Sequence, residues 1–215
     1  MSFVVLLPVK PPARGKSRLT GLPDAGLPDE SRVALASAFA LDTAAACLAT
    51  VAVAAVLAVT DDAAFAASLM ALGCAAIPDG VTDDLNGSLR LAAAEADRRW
   101  PGLQPVALCG DLPALRPADL DAALGLVADR TGEACFVADA AGTGTTLYTA
   151  PAAAFAPRYG IGSAGLHAAA GATSLPGELV SLRHDVDTLA DLRAVLPLGL
   201  GPRTTLAAAR AGLLV

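Results

Sequence analysis

Phe3-Val4-Val5-Leu6-Leu7-Pro8-Val9-Lys10, running on through Arg14-Gly15-Lys16-Ser17-Arg18-Leu19, is the stretch around which the chain is organised. Five consecutive apolar residues of β-branched and Leu type predict a strand buried on both faces. The loop after it carries Lys10, Arg14, Lys16 and Arg18, four of the 15 Lys and Arg residues in a chain with 21 Asp and Glu. Open α/β sheets bind anionic ligands outside the carboxyl ends of their strands. A core strand that empties into so concentrated a basic loop points to a ligand bearing phosphates; the competing reading is a solvated basic turn.

Working outward, apolar runs predict further strands near residues 51–59, 74–77, 106–109, 134–138, 145–149 and 179–182, with 145–149 pairing back as a hairpin. Between them, helical patterns cover about 31–48 (Ser31 as cap), 63–72 (stopped by Gly73), 84–100, 117–128, part of 158–171 and 189–195, and a short Ala-rich helix lies in the tail. Strands alternating with helices at this spacing predict an α/β fold, a mostly parallel sheet covered by helices on both faces. Neither an internal repeat nor a dividing linker is visible, so residues 1–215 read as a single domain, long enough to bury roughly 70% of its unfolded surface.

The composition narrows the function. A net charge of −6 argues against a general nucleic-acid binder, although one basic loop suffices for a small polyphosphate. Cys47, Cys74, Cys109 and Cys135 never form CxxC, and both histidines are isolated, which argues against structural zinc and for free thiols in a reducing cytoplasm. The first residues lack a signal peptide's charged start and cleavage site. Residues 34–59 are apolar enough to suggest a membrane span, but Asp42 interrupts them; a helix followed by a strand, in a soluble protein with no membrane partner, is expected.

Nearly all polar residues of chemical interest follow strands: the basic loop, Asn86-Gly87-Ser88, Gly110-Asp111, and Asp185-Val186-Asp187. On one sheet edge these four clusters make one site. Gly110 allows close backbone approach to a ligand, and Asp111 brings a carboxylate to the end of its strand. Asp185 and Asp187, two apart, point the same way if extended. Carboxylates from two strand ends suit Mg²⁺, which takes one or two of them together with phosphate oxygens and water. Helix capping by Asn86, Ser88 and Asp187 is the structural alternative.

Several blocks, taken together, resemble one family: Pro8-Val9-Lys10 with Lys16-Ser17-Arg18-Leu19, Gly110-Asp111-Leu112-Pro113-Ala114-Leu115, Gly142-Thr143-Gly144-Thr145-Thr146, Tyr159-Gly160 with Ser163 and His167, and Asp185-Val186-Asp187-Thr188 with Asp191-Leu192. It is the guanylyltransferase family of coenzyme F420 biosynthesis, acting on 2-phospho-L-lactate or phosphoenolpyruvate. The resemblance runs from about residue 4 to 193. It implies a Rossmann-like, GT-A-type nucleotidyltransferase, with GTP and a small phosphorylated three-carbon acid as partners. It implies Asp111 and Asp185 as holders of Mg²⁺ (or Mn²⁺), with Asp187 as a further ligand, and Thr145, Gly160 and Ser163 as contacts to the acid. Lys10, Lys16 and Arg18 would stabilise the triphosphate, Asn86, Ser88 and Gly110 would meet the nucleotide, and His167 would serve as a structural hydrogen-bonding group. The chain departs from the family at Ile161, where typical members carry Pro after the first Gly. Another Mg²⁺-dependent nucleotidyltransferase, forming a molybdopterin or sugar-nucleotide product, and a non-catalytic GTP-binding module are the other readings. Oligomeric state is open.

Overall fold

The computed structural model describes residues 1–13, 19, 27–81 and 83–214. Lys16 and Arg18, with Arg14, lie outside the described residues. Seven strands form one sheet: β1 (Phe3–Pro8), β2 (Val53–Val59), β3 (Ala75–Ile77), β4 (Gln104–Leu108), β5 (Cys135–Ala138), β6 (Thr145–Thr149) and β7 (Thr173–Ser174). Their order is β3-β2-β1-β4-β6-β5-β7. All neighbours run parallel except β6, which is antiparallel to both β4 and β5 and forms the expected hairpin with β5. The chain winds outward from β1 to β3 and returns to lay β4 against the other side of β1. The loops after β1 and β4 therefore part at the topological switch point, where such sheets open a crevice.

The helices are α1 (Asp29–Leu48), α2 (Ala63–Leu72), α3 (Leu85–Arg99), α4 (Pro117–Ala128), α5 (Ser163–Ala169), α6 (Val180–Arg183), α7 (Leu189–Val195) and α8 (Pro202–Arg210). Alternate residues of β1 serve opposite faces. Phe3, Val5 and Leu7 pack with residues of α1, α2 and α4, whereas Val4 and Leu6 pack with residues of α3 and α5. Each fully buried Leu on this strand contributes on the order of 2 kcal/mol. α1 is, among the described helices, the one long and apolar enough to cross a membrane, but 56% of its window is buried inside the protein. Leu35, Phe39, Ala44 and Cys47 face the core, and its Asp42 carboxylate accepts the backbone N–H of Thr204 at 2.7 Å, capping α8.

The structure corrects two expectations. Residues 179–182 are not a strand: Leu179 has φ +40° and the next residues form the single turn α6. The turn aims Arg183 at the Ala138, Leu175 and Gly177 carbonyls, bonds that a strand there would not supply. The edge strand is instead β7, paired parallel to β5. α1 begins at Asp29 after Pro28 and not after a Ser31 cap, because Arg32 reaches back to the Asp29 carboxylate and to the Pro12 and Ala13 carbonyls. That arginine pins the entrance of the basic loop.

Candidate active site

β1 and β4 deliver their loops side by side. A Cβ on Gly110 would lie 3.1 Å from the Pro8 carbonyl oxygen and 3.3 Å from Val9, so the two chain exits touch. Lys10 leaves this edge exposed to solvent. Asp111 follows, and its carbonyl accepts the N–H of Val186 at 3.0 Å. That bond joins the two segments expected to supply carboxylates. Their proximity is also electrostatic. The Asp185 carboxyl is pushed up to about 6, first by burial, then by the charge of Asp111, with Asp187 and Asp139 adding to it. Four acidic side chains thus share one field, and a cleft of about 260 Å³ opens beside Asp139, His184, Asp185 and Asp187.

The backbone around these carboxylates is fixed from behind. Thr43 of α1, fully buried, accepts the Leu112 N–H at 3.1 Å and donates to the Phe39 carbonyl at 2.8 Å. The Gly201 N–H bonds the Pro113 carbonyl at 2.8 Å, so the loop is also tied to the start of α8. On the other segment the N-cap of α7 is Thr188, in a capping box with Asp191, and not Asp187. Replacing Thr43 by Val leaves the buried Leu112 amide without its acceptor. Denaturant unfolding should register a loss of about 1–3 kcal/mol, largely recovered by Thr43→Ser.

Asp139, read from sequence only as part of a turn, is a residue of this site. Its two oxygens accept the N–H groups of Thr143 and Gly144, both at 2.9 Å, which folds the Gly-rich turn around one carboxylate. A Cβ on Gly144 would collide with that carboxylate, so the position needs glycine. The sequence signal, an Asp five residues before the second glycine of the turn, was present but has no fixed meaning without the β5–β6 register.

A second group of residues gathers next to it. Thr145 and Ser163 are buried, and Gly160 has φ +144°. The Ser163 N–H bonds the Gly160 carbonyl and the Ala164 N–H bonds that of Thr143, both at 3.1 Å, so the expected acid contacts do converge. Between them lies His167, which meets Thr145 Oγ1 at 3.0 Å through Nδ1 and accepts the Arg158 N–H at 2.9 Å through Nε2. Asn86 clamps both backbone groups of Tyr159, at 2.8 and 2.9 Å, so both ends of its amide already bond protein. This clamp couples the start of α3 to the loop that leads to Gly160. Ser88, also buried, has a hydroxyl with no hydrogen-bond partner among the described residues.

Burial lowers the His167 ring to about 4, helped by the Arg158 charge and opposed by a hydrogen bond to the Ser163 carbonyl. Between that value and the ordinary 6.5 the unfolded chain binds the proton and the folded chain does not, so this group adds stability as pH rises across the window and withdraws it as pH falls. NMR titration should find the His167 ring neutral until well below pH 6, while an unfolded control titrates near its ordinary value.

Among the described residues no group of three or more His, Cys, Asp and Glu forms a ready-made metal cage. Carboxylates on two adjoining segments, with a cleft open beside Asp185 and Asp187, fit the alternative, a hard cation completed by phosphate oxygens and water.

No protein-family model matches the chain. It is 49% identical over 212 residues to the phosphoenolpyruvate guanylyltransferase of Thermomonospora curvata, covering 98% of this chain and 90% of the relative. It is 48% identical over 216 residues to the protein of that name from Streptomyces scabiei, covering 98% and 97%. Among solved structures, one described as a nucleotide-diphospho-sugar transferase from Desulfovibrio desulfuricans superposes with a TM-score of 0.71 at 20% identity, over 99% of this chain and 97% of that one. A CMP:2-keto-3-deoxy-manno-octonic acid synthetase complexed with CTP superposes with a TM-score of 0.56 at 16% identity, over 97% and 100%. The structural likenesses identify the fold as that of the nucleotidyltransferases. Near-half identity over nearly the whole length goes further, and the chain belongs to the phosphoenolpyruvate guanylyltransferase family.

Proposed function

We propose that this chain, working as one domain in the cytoplasm, transfers GMP from GTP to the phosphate of phosphoenolpyruvate and releases diphosphate, a step of coenzyme F420 biosynthesis. The observation that carries the reading is the meeting of the Asp111 and Asp185 segments at the switch point of the sheet, beside the start of the basic loop. A phosphate oxygen of the acid attacks the α-phosphorus of GTP, forming a P–O bond. The bond from that phosphorus to the oxygen bridging to the β-phosphate breaks, and diphosphate leaves with the electron pair. The nucleophile is already ionised near neutral pH, so no general base is required. What the reaction needs is charge neutralisation and in-line placement.

Asp111 and Asp185, with Asp187 beside them, would hold Mg²⁺, or Mn²⁺ in its place. Bound there, the cation would neutralise the triphosphate and the departing diphosphate. Lys10, Lys16 and Arg18 would carry the remaining phosphate charge. Gly110 lets the triphosphate approach the backbone, and Ser88, with Asn86 behind it, would face the nucleoside. Thr145, Gly160 and Ser163 would hold the acid, with Asp139 shaping their turn from beneath.

Mass spectrometry of reactions containing Mg²⁺, one nucleoside triphosphate and one acid tests this. GTP with phosphoenolpyruvate should give diphosphate and the guanosine diphospho-linked acid. ATP, CTP and UTP should give far less, as should 2-phospho-L-lactate and 3-phosphoglycerate. Product from CTP in preference to GTP, or none with any acid, would overturn the proposal.

A further inference from the structure

We propose that His167 is a positioning residue of the acid-binding half of the site: as the neutral Nδ1–H tautomer it forces the Thr145 hydroxyl to donate, and so presets that hydroxyl for an anionic oxygen of the acid. This rests on the reading that Thr145, Gly160 and Ser163 hold the acid.

The tautomer follows from donors and acceptors. The Arg158 backbone N–H can only donate, and it meets Nε2 at 2.9 Å. Nε2 must therefore be the unprotonated nitrogen, and the ring's single proton is on Nδ1. The ring also donates to the Ser163 carbonyl, and the protonated Nδ1, 3.0 Å from Thr145 Oγ1, cannot accept from that hydroxyl. The hydroxyl's own hydrogen is then left to point elsewhere, and a group bonded to it must bring an acceptor. At neutral pH the carboxylate and phosphate of a phospho-acid present only acceptors near the reacting end. A carboxamide or ester offers a poorer acceptor, so the preset donor discriminates against it.

The ring is placed to do this without changing state. It is fully buried, stacked on Tyr148 at 4.6 Å and on Phe136 at 5.7 Å, with Tyr159 edge-on at 5.6 Å. That burial, which pushes its pKa to about 4, keeps it neutral through the working range. It also joins the three places that carry the acid contacts. Thr145 starts β6, Arg158 leads into the Tyr159–Gly160 loop, and Ser163 stands one turn before it on α5. An apolar residue of equal size would fill this aromatic nest at less desolvation cost but would leave both the Arg158 amide and the Thr145 hydroxyl without their ring partners.

Two measurements test the inference. Ring ¹⁵N NMR of the wild-type chain should show Nδ1 protonated and Nε2 bare at neutral pH; the opposite tautomer, or a charged ring, overturns it. His167→Phe keeps the stacking and removes both nitrogens. It should raise KM for phosphoenolpyruvate by about 10- to 100-fold with KM for GTP nearly unchanged, and should erase the preference for phosphoenolpyruvate over its carboxamide as an inhibitor. His167→Asn, which can still donate toward Thr145, should recover part of the loss, and it serves if the Phe variant folds poorly. Equal rises in both KM values, or none, would overturn the inference while leaving guanylyl transfer intact. A wild-type chain that makes no product from any acid would instead remove the reading on which it rests.

Discussion

Asp185→Asn is expected to lower turnover by about 10³-fold or more while making the metal-free protein more stable, not less. The two effects share a cause. In the absence of a cation, the Asp185 carboxyl is held near 6 by burial and by the charges of Asp111, Asp187 and Asp139, so the folded state resists its ionisation. Near neutral pH the group is ionised at a cost, and an amide of the same shape avoids that cost. Allowing for solvent screening, the gain is about 1–2 kcal/mol, or roughly 3–6 °C in Tm for a chain of this size. Asp111→Asn should lose turnover to a similar extent. A thermal shift assay run alongside diphosphate release measures both. An Asp185→Asn protein that is both destabilised and active would contradict the assignment.

Asp42→Ala should be the most damaging single truncation away from the cleft. The Asp42 carboxylate accepts from the Thr204 and Arg203 N–H groups and pairs with the Arg203 guanidinium at 3.4 Å. It also fills the space in which a Cβ on Gly201 would collide with it. Removing it leaves the buried Thr204 amide and the half-buried Arg203 amide unpaired and the start of α8 uncapped, a cost of about 3 kcal/mol. Tm should fall by roughly 6–12 °C. The damage reaches the site because the Gly201 N–H holds the Pro113 carbonyl two residues beyond Asp111, and Arg116 bonds the Leu198 carbonyl at 2.7 Å. Hydrogen exchange should therefore show loss of protection in residues 111–116 together with α8. Loss confined to α8 would show that the C-terminal helix does not support the loop.

The parts of the fold that were legible in the sequence are those where local pattern and burial agree. β1 reads as a core strand because both of its faces are covered, and β6 and α7 have the predicted bounds because a Gly-rich turn and a Thr–Asp capping box mark their starts. The expectation that Asp111 and Asp185 meet rested on two strand ends, but only Asp111 follows a strand; Asp185 follows α6 and is brought in by the bond from the Val186 N–H to the Asp111 carbonyl. Residues 179–182 misled because four residues of Leu-Val-Ser-Leu fit a buried strand and a buried helical turn equally well. β7, two residues long, has no period to detect. Thr43, Asp139 and Arg183 act on backbone groups that only the folded register brings to them. Thr43 meets an amide 69 positions away, and Arg183 reaches a carbonyl 45 positions back. His167 was visible as a residue, but its tautomer depends on an amide nine positions earlier in an irregular loop.

Guanylyl transfer as proposed requires a divalent cation shared by Asp111 and Asp185, the carboxylates that follow β4 and α6. The most direct test is Mn²⁺ binding followed by electron paramagnetic resonance, with a non-hydrolysable GTP analogue present, in wild type, Asp111→Asn and Asp185→Asn. The account predicts one tightly held ion in the wild type and at least about tenfold weaker binding in each folded variant. Unchanged affinity in either variant would contradict it.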